Sequence, residues 1–334
     1  MSAAVKTDVR ERSNVTEQVR RWSQRNSWTL ALIGMFVVTL VITYLIQPSY
    51  GAAQLQGLAI GALPLAMATV AQATVVISGG IDLSVGSMMA LTSVTAATLM
   101  KDQSESYAIG VVIGVLVLGM ILGIINGVLV VVTRVPDIVV TLAMAFVWAG
   151  AALLVLHTPG GGSAEWLGDL VTGPIGSDWI PRALVTLLVI VGVIWIPLRR
   201  STAGLSLYAV GSNRLAAFRS GVPVGRTRVF AYMLTGLFSA FGGLSLTAAT
   251  GLGTPVPGAY TLLAVAAIVL GGVSLAGGRG GIAGPIVAVF VLALVQTDLT
   301  LLGVNSNLAT VIQGSILIGV VMFGSMLTMR RARS

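Results

Sequence analysis

Polar chemistry in this chain is confined to a few short stretches. One is Ser78-Gly-Gly-Ile-Asp82-Leu-Ser84-Val-Gly86-Ser87, where a carboxylate and three hydroxyls stand between two long apolar runs. The glycines let the chain leave the first run, and Asp82 or Ser84 can cap the orphan amides that open the second. A carboxylate at the bilayer centre costs about 2.5–3.5 kcal/mol on insertion scales, so Asp82 belongs at an interface or opposite something polar. Two readings stand side by side: a turn with its cap, or a polar element of a solute pathway. Asn126, inside a later apolar run, poses the same choice between bonding a neighbouring helix and bonding a polar solute. A second stretch, Gly271-Gly-Val-Ser-Leu-Ala-Gly-Gly278, shares the pattern G-G-[V/I]-x-L-x-x-G with Gly79–Gly86. Such echoes mark internally repeated transporters with interrupted helices, although chance also produces them in a chain with 41 glycines. Asp82, Ser84, Asn126, Gly271 and Gly272 are therefore the candidate pathway or gating residues.

Other chemistries are excluded. Lysine occurs only at Lys6 and Lys101, neither preceded by glycine, so the chain has no G-x-x-x-x-G-K-[ST] phosphate loop with which to split ATP. It has no cysteine and one histidine, His157, which rules out disulfides, thiolate metal sites and a histidine cluster. No catalytic centre, cofactor or metal is expected. Ionisable groups within the apolar runs are few, chiefly Asp298 with Asp82 and Asp137 at edges. A proton- or sodium-coupled carrier normally needs such groups.

The third chemistry-bearing stretch is residues 199–229. It carries Arg199, Arg200, Arg214, Arg219, Arg226 and Arg228 without a single acid. Basic connections between membrane spans are retained on the cytoplasmic side, and one this long is usually functional. Within it, Ala216, Ala217 and Gly221 form an A-A-x-x-x-G unit. Its small side chains suit a short helix pressed into a groove on a partner, and Gly221 offers a positive-φ stop with Pro223 just beyond.

The elements that must position these residues follow from hydropathy. Hydrophobic residues make up 56% of the chain and charged ones 9%, where a soluble domain carries about 25% charge. Apolar runs near 20 residues recur, each about what a helix needs to cross ~30 Å of hydrocarbon, and no period-two alternation suggests a barrel. The chain reads as an all-α polytopic membrane protein with about ten transmembrane helices, at 28–46, 55–78, 85–100, 107–133, 138–157, 183–198, 230–250, 261–275, 281–299 and 308–328. Residues 1–27 form a cytoplasmic N-terminal segment and 329–334 a cytoplasmic tail. Between them, 28–328 is one membrane domain containing the cytoplasmic stretch 199–229. The first run reads as a retained anchor, because it follows a long charged leader and lacks a small-residue cleavage site.

With both termini cytoplasmic, only Lys101 and Arg182 of the 19 basic residues fall outside, while Asp102, Glu105, Glu165, Asp169 and Asp178 lie in outside segments. Adding or dropping one span would reverse that bias for everything downstream. The net charge of +8 is thus a topology signal and not one for nucleic acid. Span 4 carries Gly110, Gly114, Gly119, Gly123 and Gly127, a ladder of small residues that lets helices approach closely in lipid.

Three ordered motifs, SGGIDLSVGSMMALT, GSNRLAAFRSGV and IVLGGVSLAGGRGGIAGP, resemble the permeases of ATP-binding-cassette monosaccharide importers of the ribose type. The resemblance covers about residues 30–325. It implies a multi-pass permease subunit of the bacterial cytoplasmic membrane, importing a sugar delivered by an extracytoplasmic binding protein. It also implies two ATPase subunits and a second permease chain as partners. The stretch Asn213–Gly221 resembles the loop that couples to the ATPase, which places Asn213, Ala216, Ala217 and Gly221 at that contact. Two departures stand out. Leu215 occupies a position where the family usually has an acid, and Tyr260-Thr261-Leu262-Leu263 lacks the acids of the family's Y-E-L-D. The competing function is a secondary transporter or facilitator acting without an ATPase.

Overall fold

The computed structural model describes residues 27–256 and 258–305, with 307–309, 311, 312, 314, 315 and 319 beyond them. The N-terminal segment, nearly all of the expected tenth span and the basic tail lie outside the described residues. Seven helices fall on apolar runs of the sequence in order: α1 Ser27–Ile46, α2 Ala52–Ile77, α3 Val85–Met100, α4 Glu105–Thr133, α5 Asp137–Val155, and, after the short α6 Glu165–Asp169, α7 Arg182–Arg200 and α10 Val224–Thr250. Between the last two, α8 Thr202–Ser212 and α9 Arg214–Arg219 fold within the basic stretch, and α11 Tyr260–Leu270 and α12 Ala283–Leu301 follow. Each of the first nine expected spans coincides with one of these helices. Seven are long and apolar enough to cross a membrane unaided, while α3 and α11 are shorter.

One departure from an all-helical chain lies in the segment between α5 and α7. It forms an antiparallel hairpin, β1 Pro174–Ile175 with β2 Ser177–Pro181. Gly173 and Gly176 supply the positive φ its turns need. The segment is tied down at one end of the bundle. Gln56 donates to the carbonyl of Asp178 at 2.8 Å, the amide of Gly162 to that of Ala97 at 2.9 Å, and the Trp166 indole to that of Glu105 at 3.3 Å. We call this the hairpin end and the opposite one the basic end.

Helix α2 is the axis of the fold. It is buried almost throughout, and α10, α11, α12 and α7 pack around it. The glycine ladder of α4 is consumed within the chain. A Cβ at Gly123 would meet the carbonyl oxygen of Tyr232, one at Gly127 would lie 2.9 Å from the Cα of Val229, and one at Gly119 would strike Gly236 of α10. Backbone-to-backbone approach of this kind replaces the hydrophobic drive that lipid cannot supply. Gly110 and Gly114 have no neighbour that close, so the ladder is used in its second half, on α10.

Candidate functional site

Local signals fold the basic stretch into a compact unit. Arg199 and Arg200 end α7, where cations suit the negative end of the helix dipole. Ser201 Oγ accepts from the amide of Gly204 at 3.1 Å and caps α8. Asn213 Oδ1 accepts from the amide of Ala216 at 2.9 Å and caps α9. Gly221, at φ 83°, closes α9 as expected: its amide reaches the carbonyl of Phe218 and that of Val222 reaches Ala217, both at 3.0 Å. Of the two alanines only Ala216 faces out. Ala217 is 5% exposed and seats α9 on its own chain, while Leu215 and Phe218 stand 59% and 68% exposed.

Helix α8 rests on the two glycine stretches that echo each other in sequence. Both are the same helix stop. At the end of α2 the amide of Gly80 bonds Val75 and that of Gly79 bonds Val76; at the end of α11 those of Val273 and Gly272 bond Ile268 and Val269. Gly79 and Gly272 carry the positive φ, so the structural register is one residue off the sequence match. The stretches then meet. The amide of Gly278 donates to the carbonyl of Ile77 at 2.9 Å, and Gly211 of α8 packs against both. Arg214 donates to the carbonyl of Gly79 at 2.7 Å and the Tyr208 hydroxyl to that of Gly280 at 3.0 Å. A Cβ at Gly211 would lie 2.6 Å from the amide nitrogen of Gly278 and closer still to the carbonyl oxygen of Ile77. Gly211→Ala is therefore expected to lift α8 from this seat and cut uptake at least ~10-fold per inserted molecule, equivalent to about 1.4 kcal/mol. Uptake normalised to membrane-inserted protein checks it; an unchanged rate would show that the seat is dispensable.

Beyond Gly79 the chain runs inward without helical structure. Gly86 meets Thr261, whose hydroxyl accepts from its amide at 2.9 Å. Thr261 opens an 11-residue helix whose other end leads to Gly277, a rise of roughly 15 Å. Helix α3 therefore starts well inside the bundle. Irregular backbone at that depth is tolerated where protein encloses it, and Gly80, Asp82, Ser84 and Gly86 are all buried.

Asp82, Ser84 and Asn126 come together there. Asp82 Oδ1 accepts from the amide of Ser84 at 2.8 Å and from its hydroxyl at 2.6 Å. The Asn126 amide donates to Ser84 Oγ at 2.7 Å, and the Trp148 indole donates to Asn126 Oδ1 at 3.2 Å. Neither Asp82 nor Ser84 caps α3 with its side chain. Asp82 instead holds Ser84, the N-cap residue, and the orphan amide of Gly86 is satisfied by Thr261 from another helix. The three polar residues have no exposure, so in this conformation no solute touches them. Gly271 and Gly272 lie apart from this cluster, packed against Pro285 and Trp28.

Two groups escape the sequence reading. Asp137, expected only as an ionisable group at the edge of an apolar run, pairs with Arg228 of α10 and accepts from the Tyr232 hydroxyl at 3.0 Å. Beside it Thr141 bonds the backbone of Ile81 and Leu83, so α5 and α10 jointly grip the inward-running segment. At the hairpin end, α2, α11 and α12 enclose a cleft of about 910 Å³ lined by Gln47, Tyr50, Gln54, Tyr260, Gln296 and Thr297 among apolar residues, none of them charged. Isolated glutamines near span ends are the only sequence signal for it.

The family model described as "Branched-chain amino acid transport system / permease component" matches residues 47–321. The chain belongs to this family of permease components. The permease is 34% identical over 261 residues to the ribose import permease protein RbsC of Bacillus subtilis (strain 168), covering 74% of this chain and 77% of that protein. It is 31% identical over 311 residues to the autoinducer 2 import system permease protein LsrD of Escherichia coli (strain K12), covering 89% and 92%. No solved structure matches it. The resemblance drawn from the three motifs is thereby upheld, and the matched region contains α2 to α12 and the whole basic unit.

Proposed function

We propose that this permease is the membrane-spanning subunit of an ATP-driven importer for a monosaccharide or similar uncharged, hydroxyl-rich solute. The observation that carries it is the basic unit α8–α9, which is folded, seated on the ends of α2 and α11, and turns an apolar, arginine-flanked face outward. Two ATPase subunits dock there, and an extracytoplasmic binding protein delivers solute at the hairpin end. A second permease chain completes the pathway; Gly119, Gly123 and Gly127 of the α4 ladder lend this no support, since α10 already occupies them. The family description names branched-chain amino acids, whereas the two relatives are named for ribose and autoinducer 2. The uncharged cleft favours a neutral solute, because an amino acid would bring an ammonium and a carboxylate with no ionic partner among its lining residues. Coupling requires the ATPase to contact α8–α9 differently in its two nucleotide states. Proteoliposomes containing permease, ATPase subunits and binding protein should take up sugar only with ATP; sugar uptake by the permease alone would overturn the proposal.

Ten spans with both termini in the cytoplasm complete this reading. The chain's lack of cysteine allows a clean test. In intact spheroplasts Ser177→Cys, exposed on the hairpin, should react with an impermeant maleimide, and Ser334→Cys should react only after lysis. The reverse pattern would invert the topology.

A further inference from the structure

A cleft separates α7 from the paired helices α1 and α12, and the mechanism above does not use it. Its hairpin-end part, about 310 Å³, is walled by Trp179, Leu184, Phe36 and Phe290, the two phenylalanines meeting edge-on. Its basic-end part, about 770 Å³, is walled by Leu188, Val191, Trp195, Ile286 and Trp28. Val287 lines both, so the two parts form one groove along α7. A 19-residue helix is about 28 Å long, close to the ~30 Å of a bilayer core. The basic-end part runs from Leu188 to Arg199, a rise of about 16 Å, roughly the depth of one leaflet.

The two ends differ in chemistry. The hairpin-end part is almost wholly apolar, whereas Arg199 and the backbone of residues 280–284 line the basic-end part. Arg199 is exposed, as are Arg200 and Arg279 beside the mouth in sequence, and none pairs with an acid among the described residues. Helix α12 opens at this mouth without a side-chain cap, leaving the amides of Ala283 and Gly284 without an intrahelical partner, Pro285 having none to donate. The Trp28 indole is committed to the carbonyl of Leu270 at 2.8 Å, which fixes its ring as a wall. Apolar walls topped by the Arg199 guanidinium and first-turn amides complement a molecule with a hydrocarbon tail and an anionic head.

We infer that the basic-end half of this groove binds one anionic phospholipid of the cytoplasmic leaflet. Its phosphate lies at Arg199 and the start of α12, and an acyl chain lies along Val191 and Ile286. Basic recesses between spans on that side suit such headgroups. The bound lipid abuts Gly272 and Gly280, part of the seat on which α8 rests. This assignment rests on the membrane topology proposed above. Lipid retention reports binding whichever way the chain faces, whereas maleimide labelling of Ser177→Cys reports orientation, so the two failures are distinguishable.

The experiment uses full-length permease extracted from vesicles of equal phosphatidylglycerol and phosphatidylcholine. Native mass spectrometry counts retained lipid, and acyl-brominated versions of each lipid quench the tryptophans lining the groove. The wild type should retain phosphatidylglycerol preferentially and be quenched by it more strongly. Arg199→Gln, an exposed change that should not disturb folding, should weaken that preference roughly five-fold, the worth of one basic residue near an anionic surface. Gly192→Phe fills the groove, since a Cβ there meets only Ile196 Cδ1 at 3.9 Å, and should reduce quenching by both lipids. Equal retention of the two lipids, or no change in Arg199→Gln, overturns the headgroup assignment. Displacement by inorganic phosphate in detergent would make this an anion site with no need for a lipid. Absence of both retention and quenching would mean that another part of this chain, or a second copy, fills the groove; either result overturns the proposal.

Discussion

Phe218→Asp is expected to leave membrane insertion intact and to weaken capture of the ATPase subunit about 30-fold or more. Phe218 and Leu215 are three residues apart on α9, hence on one face, and both are more than half exposed. A lone exposed apolar residue needs no explanation. This pair is different: it sits outside the long spans, on a six-residue helix with a side-chain cap at one end and a glycine stop at the other, between Arg214 and Arg219. An aromatic anchor of that kind is worth at least ~2 kcal/mol at a buried interface, which is the 30-fold stated. Leu215→Asp should follow in the same direction with a smaller loss, so leucine in place of the family's acid extends the apolar face. Gly221→Val acts through the stop itself, because a β-branched residue at φ 83° is strained by ~1–2 kcal/mol. Arg219→Ala, a rim charge, should cost under about 1 kcal/mol. Pull-down of the ATPase with uptake measured in parallel checks all four. Wild-type binding in both Phe218→Asp and Gly221→Val would place the contact elsewhere.

That face also shows what the sequence could and could not disclose. The stop at Gly221 was legible because glycine before proline has a local cause, and α3 occupies Val85–Met100 as read because its apolar run has unambiguous ends. Helix α11 stops at Leu270, earlier than hydropathy suggests, because the backbone bonds of Gly272 and Val273 end it while the side chains stay apolar. Helices α8 and α9 are too short for periodicity to emerge, although their caps, Ser201 and Asn213, were in plain view. Which alanine of Ala216-Ala217 turns inward depends on how α9 is seated, a tertiary matter. The same holds for the polar cluster. Asp82, Ser84 and Asn126 could be picked out singly as polar residues among apolar ones, but 42 positions separate Ser84 from Asn126. Thr261 illustrates the limit best: seen only as a missing acid, it accepts from the first-turn amide of Gly86, 175 positions earlier.

Removing Asp137 should destabilise the described bundle by about 3–5 kcal/mol, because it strands the Arg228 guanidinium in a site where the pair is only 12% and 14% exposed. The Tyr232 hydroxyl loses its 3.0 Å acceptor as well, keeping only the longer bond to Ile81 at 3.4 Å. Arg228→Met should cost less, because Asp137 would keep the Tyr232 hydroxyl and the favourable start of α5, where the helix dipole supports a negative charge. The double variant Asp137→Ala/Arg228→Met leaves no uncompensated charge and should recover most of the loss. A double-mutant cycle on unfolding in detergent should therefore return a coupling at or above the upper end of the roughly 0.5–3 kcal/mol found between contacting residues. Stability and transport need not recover together. Arg228 lies at the start of α10, directly after the α8–α9 unit, and Asp137 and Tyr232 reach the inward-running segment at Gly80 and Ile81. If the pair transmits motion from the coupling unit to that segment, the double variant will be folded and ATPase-bound yet transport-deficient. Recovery of stability and uptake together would confine the pair to a structural role, and single losses that simply add in the double would show that the two side chains act independently.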